Sequence, residues 1–136
     1  MARIYAMAGF EISVDHGVLI MRTQGVRKSE HGKDAARLFD LMESPEVHGV
    51  MFDIRDADYQ LSPLEWKERC LEIARQCRGR KVAVVQRDEQ AEMTAECRVT
   101  LQQKGLECEA FASKARAMEW LHQGLDTTRP AQRRLG

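Results

Sequence analysis

Val50-Met51-Phe52-Asp53-Ile54-Arg55-Asp56-Ala57-Asp58-Tyr59-Gln60-Leu61-Ser62-Pro63-Leu64-Glu65-Trp66 is the stretch whose reading decides the fold. Its first five residues are apolar but for Asp53, the pattern of a strand buried on both faces, as in the middle of a parallel sheet covered by helices. The strand's carboxyl end then delivers Asp53, Asp56 and Asp58 into what reads as a loop. Ser62-Pro63-Leu64-Glu65 closes that loop with three helix-start signals: a capping hydroxyl, proline at the first helical position, and glutamate three residues after the cap. Ligands of open α/β sheets gather outside such strand ends, so a site is sought here first.

Working outward toward the amino end, Phe10, Ile12 and Val14 alternate with Glu11, Ser13 and Asp15, which is the period of a strand with one wet face. Asp15-His16-Gly17 supplies a turn and Val18 to Thr23 a second strand, so the two form an antiparallel hairpin that Gly25 and Arg27-Lys28 bring to an end. Ser29 caps an expected helix with Ala35, Leu38, Phe39 and Met42 on its apolar face, stopped by Ser44-Pro45. Residues 1–9 carry no clear pattern and read as a lead-in rather than a strand.

Toward the carboxyl end, Trp66, Cys70, Ile73, Ala74 and Cys77 form one helical stripe closed by Gly79. Lys81 to Gln86 is a further buried strand. Asp88 is expected to cap a helix carrying Met93, Cys97 and Leu101, with Gly105 after it. Leu106 to Ala112 reads as an edge strand, and Ser113 caps a last helix with Ala117, Met118 and Leu121. Residues 125–136 are polar, basic and without pattern, a flexible tail. The expected architecture is a single α/β domain over residues 10–124, a mixed β-sheet with a leading antiparallel hairpin and then parallel strands, packed with four helices.

Composition narrows the function. The chain has 136 residues, with 21 basic and 21 acidic side chains, so no global field favours nucleic acid or an anionic membrane. Cys70, Cys77, Cys97 and Cys108 are widely spaced with no Cys-x-x-Cys, which suits buried free thiols in a reducing cytoplasm. Nothing in residues 1–9 resembles a signal peptide, and no window is apolar enough to span a bilayer. His16, His31, His48 and His122 occur singly, without metal-ligand spacing. There is no Gly-x-Ser-x-Gly, P-loop or dinucleotide fingerprint. No catalytic residue, cofactor or metal ligand is assigned.

The hairpin ending at Gly25, the strand from Gly49 to Ala57, the strand Val82-Ala83-Val84-Val85 and the ending Phe111-Ala112-Ser113-Lys114-Ala115-Arg116-Ala117-Met118-Glu119-Trp120-Leu121 together resemble the SpoIIAA-like group, related to STAS domains and more remotely to the SEC14 lipid-binding fold. The resemblance implies a small mixed-sheet module, typically cytoplasmic and often without known activity. In phosphoswitching STAS proteins a serine in an Asp-Ser-Ser/Thr-Gly setting follows the central strand. Here Asp56-Ala57-Asp58-Tyr59-Gln60-Leu61-Ser62-Pro63 stands there, so Ser62 alone could be the phosphoacceptor, and the glycine and second hydroxyl are missing.

The candidate residues are therefore Asp53, Asp56, Asp58, Tyr59, Ser62, Trp66 and Trp120. The three aspartates could face Mg²⁺ as receiver carboxylates do, but the acidic pair and lysine of a receiver are lacking, and solvated loop carboxylates or a turn cap account for them better. Ser62 serves either as a helix cap or as a regulated hydroxyl. Trp66 lies on a core stripe. Trp120, between Glu119 and Leu121, would mark a homodimer face if exposed. Two functions follow: a protein-interaction or regulatory module acting through residues 56–62 and the helix behind them, or a carrier of a small apolar or lipid-like ligand lined by Phe39, Met42, Met51 and Trp66.

Overall fold

The computed structural model describes residues 4–7, 9–28 and 46–123. Six strands form one sheet in simple sequence order: β1 (Ile4–Met7), β2 (Phe10–Asp15), β3 (Val18–Arg27), β4 (Gly49–Tyr59), β5 (Lys81–Val85) and β6 (Cys108–Phe111). The pairs β1–β2 and β2–β3 are antiparallel, and β3 to β6 run parallel to one another. The β2–β3 turn places His16 and Gly17 at φ 50° and 80°, the doubly left-handed hairpin turn whose twist matches the strands.

β4 lies between β3 and β5, and alternate residues feed two cores. Val50, Phe52 and Ile54 join Phe10, Ile12, Leu19, Met21, Val82 and Val84 on one face. Met51 joins Val18, Ile20, Ala83 and Val85 on the other. Helices α1 (Pro63–Gln76) and α2 (Ala91–Gln103) cover the first face through Trp66, Cys70, Ala74, Cys97 and Leu101. Helix α3 (Lys114–His122) covers the second through Ala117 and Leu121. Two crossovers of one hand advancing in one direction place α1 and α2 on the same side.

Several expectations need correcting. Ile4–Met7, expected as patternless lead-in, is a strand paired with β2. β3 does not stop at Gly25 but continues through it, at φ 78°, to Arg27. The central strand runs to Tyr59, so Asp56 and Asp58 belong to strand and not to loop. Asp88 caps nothing; it opens a 3-10 turn (Asp88–Gln90) that leads into α2. Three α-helices stand among the described residues where four are expected in the chain. The helix expected from Ser29, with Phe39 and Met42, lies outside those residues, as does the tail 125–136.

Candidate functional site

The second half of β4 is built on an irregularity. Arg22 pairs with Asp53 and Gln24 with Asp56, so β4 spends three steps where β3 spends two. One extra residue in a strand is a bulge, and every side chain beyond it changes face. Before the bulge Ile54 points to the α1–α2 side; after it Ala57 and Tyr59 do. Asp56 is thereby turned to the opposite side, where Arg22 and Glu11 stand.

Pairing with β5 ends at Asp53–Val85, which leaves the carbonyls of the bulge to be satisfied from elsewhere. Gln90, only 6% exposed, supplies the donors: its Nε2 donates to the Ile54 oxygen at 2.8 Å and to the Ala57 oxygen at 3.1 Å. Its Oε1 accepts from the Arg87 backbone N–H at 2.9 Å, and the Arg87 guanidinium donates to the Arg55 carbonyl. A buried glutamine thus locks the 3-10 turn onto the central strand.

The three aspartates are not open ligands. Asp53, 5% exposed, takes a two-pronged contact from Arg55, with both N–H···O distances at 2.9 Å. Burial alone would raise its pKa, but the hydrogen bonds from the Arg55 side chain and backbone, with the charges of Arg55 and Arg22, outweigh this and hold the carboxyl below its ordinary value. Asp56 meets Arg22 at 2.7 Å, and Arg22 also faces Glu11 at 3.6 Å. Asp58 accepts from Gln60 at 3.1 Å. Among the described residues no group of three His, Cys, Asp or Glu side chains surrounds a common point. All three aspartates stand in strand and not in loop, Asp53 buried, Asp56 and Asp58 exposed to solvent, and each is held by arginine or glutamine.

Tyr59 lies on the helix side, its ring 5.2 Å from that of Trp66. Burial raises the Tyr59 pKa and keeps the phenol neutral. Trp66 is buried and donates its Nε1–H to the Met93 carbonyl at 3.0 Å, tying α1 to α2. Above this pair an open groove of about 420 Å³ is lined by Tyr59, Leu61, Pro63, Trp66, Met93 and the carboxylates Glu92 and Glu96. Leu64, 66% exposed, follows Pro63 on the first turn of α1. Beneath, between helices and sheet, a void of about 50 Å³ is walled by Phe10, Met21, Phe52, Ile54 and Trp66 among others.

A crystal structure of an uncharacterized DUF3478-family protein with a SpoIIAA-like fold, from Shewanella loihica PV-4, matches over 89% of this chain and 92% of that one, with a TM-score of 0.57 and 19% identity. The fold is SpoIIAA-like. No protein-family model matches the chain, and no curated protein does. At this identity the likeness speaks for architecture, and a function has to be argued from the site.

In this SpoIIAA-like fold Ser62 stands exposed at the start of α1. Its Oγ accepts from the Glu65 backbone N–H at 3.1 Å, and its own N–H donates to Glu65 Oε1 at 2.9 Å, a complete capping box. Trp120 is remote in role: half-buried on α3, it packs on Phe111 at 5.6 Å with the Lys81 ammonium 4.2 Å over its ring. The candidates therefore divide. Tyr59, Ser62 and Trp66 share the α1–α2 side, Asp53, Asp56 and Asp58 belong to the opposite sheet face, and Trp120 belongs to the second core.

All four cysteines are buried and free. Burial pushes the Cys77 and Cys108 thiols up to about 12, and a hydrogen bond with Cys70, then burial, raises Cys97. Such thiols stay protonated and inert as nucleophiles. Among the described residues no helix is long and apolar enough to cross a membrane.

Proposed function

We propose that this chain is a non-catalytic, STAS-like protein-interaction or regulatory module whose working surface is the groove where β4 passes into α1. The observation that carries this reading is the groove itself. Its apolar lining of Tyr59, Leu61, Pro63 and Met93 is bordered by Glu92 and Glu96 and continued by the exposed Leu64. An apolar anchor flanked by lysine or arginine on a partner protein would match both features. Ser62, at the groove's edge, is the proposed regulated hydroxyl, since a phosphate there meets the positive end of α1. Four buried thiols support a reducing cytoplasm as its place.

The carrier reading has less behind it. The void under Tyr59 and Trp66 is about 50 Å³, against roughly 300 Å³ or more for pockets that take small ligands. The packing of Trp120 against Phe111 likewise weakens the case for a homodimer through that ring.

The test is a photo-crosslinking residue placed at position 64 in living cells, with position 99 as the control because Val99 is also exposed. One dominant protein adduct is expected from 64, lost when Glu92→Lys and Glu96→Lys are introduced together. Equal adducts from both positions, or an adduct indifferent to the charge reversal, would remove the groove from the account.

A further inference from the structure

Helix α3 covers only part of the second sheet face. It starts beside β6 and ends at the β2–β3 turn, where His122 Nε2 lies 3.2 Å from the His16 carbonyl oxygen and the His122 ring 5.8 Å from that of His48. Beneath it lie Val18, Ile20, Met51, Ala83 and Val85. Among the described residues no helix covers the same face over the ends of β3 and β4 and the start of β2. Glu11, Arg22, Asp56 and Asp58 stand there exposed, with Val26 45% exposed beyond them.

We propose that residues 124–136 of this same chain fold back across that bare face, with Arg129, Arg133 and Arg134 meeting Glu11, Asp56 and Asp58. Charge argues for this occupant. The face carries the four carboxylates of Glu11, Asp53, Asp56 and Asp58 against the two guanidiniums of Arg22 and Arg55. Arg55 is committed to Asp53, Arg22 is divided between Asp56 at 2.7 Å and Glu11 at 3.6 Å, and the hydrogen bond to Asp58 comes from the neutral Gln60 amide. Two negative charges are thus in excess, and residues 124–136, with three arginines against Asp126, supply two positive ones.

Length and starting point argue for it as well. Gln123, at ψ 140°, has already left α3 in an extended conformation beside the β2–β3 turn. Glu11 lies five residues up β2 from His16, about 17 Å, and Asp58, paired with Val26, about 27 Å up β3 from Val18. An extended chain covers about 3.3 Å per residue, so Arg129 reaches about 20 Å from Gln123 and Arg134 about 36 Å. Leu135, next to Arg134, then comes within reach of the exposed Val26. An exposed ion pair contributes little alone, but a short tether holds these arginines at a high effective concentration, which favours the chain's own segment over a second copy.

The experiment places a nitroxide at position 132 of the full chain through Gln132→Cys, the four native thiols being buried, and reads amide NMR intensities. In low salt the amides of Glu11, Asp56 and Asp58 should fall at least twofold in intensity, and recover in about 0.5 M salt, where exposed pairs are screened. Arg129→Gln, Arg133→Gln and Arg134→Gln together should restore them in low salt without touching the folded domain. Undiminished amides on this face in low salt, losses that survive the triple variant, or losses found instead at Glu92 and Glu96 would overturn the proposal. So would equal losses on an isotope-labelled chain without nitroxide mixed with unlabelled, nitroxide-bearing protein, since the occupant would then be a second copy. The groove's partner is absent from every sample, so these results stand or fall independently of the groove.

Discussion

Replacing Gln90 with leucine tests the link between the bulge and the site. The substitution nearly preserves volume but removes two donated bonds, to the Ile54 and Ala57 carbonyls, and one accepted from the Arg87 N–H. Each buried polar group left without a partner costs about 1–3 kcal/mol, and some of that is recovered where water reaches the 3-10 turn. A net loss of about 3 kcal/mol follows. With a urea slope of about 2 kcal/mol/M, the unfolding midpoint falls by on the order of 1–2 M. Near-UV circular dichroism should change as well, because the released bulge no longer holds Tyr59 against Trp66. Gln90→Glu should be worse than Gln90→Leu, since it aims a carboxylate at two carbonyl oxygens. A leucine variant whose midpoint stays within about 0.3 M of the parent would mean that the bulge holds itself and that Gln90 is incidental.

Ser62→Ala should cost about 1 kcal/mol by loss of the cap, measured by the same denaturation, whereas Ser62→Asp should retain most of it. Phosphate mapping of protein recovered from cells in different growth phases checks the regulated hydroxyl; a Ser62 never modified would leave it a cap alone. The folded pKa of Asp53 lies below its ordinary value of 3.8. Its contribution to stability is therefore complete above that value and is lost as pH falls through the lower, folded one, so Asp53→Asn should flatten the acid limb of a stability–pH curve. A thiol reagent at neutral pH should leave the native protein unlabelled and modify all four cysteines after unfolding; fast labelling of Cys77 or Cys108 in the native state would contradict their burial.

The central strand was legible because Val50, Met51, Phe52 and Ile54 must be covered on both faces, and a short apolar run bounded by a capping box has few other readings. The capping box at Ser62 and Glu65 was equally plain, being local. The fate of Asp53, Asp56 and Asp58 was not. Alternation puts Asp53 and Arg55 on one face, a pairing the sequence did carry, but the extra residue that sends Asp56 toward Arg22, 34 residues away, depends on register with β3. Gln90 gave no signal, since a buried glutamine looks like any surface glutamine until the carbonyls it serves are in place. The histidines are the same case: His16, His48 and His122 are neighbours only through the sheet order and the seating of α3. β1 is not legible in sequence, because an edge strand of four residues takes its pattern from its partner.

Amide hydrogen exchange of the chain, alone and bound to the partner identified from position 64, tests the working surface most directly. Added protection is expected over residues 61–69 and 91–97, the two helix starts that border the groove, with none at Glu11, Arg22 and Asp56. Protection confined to that charged sheet face, with the groove segments unchanged, would contradict it.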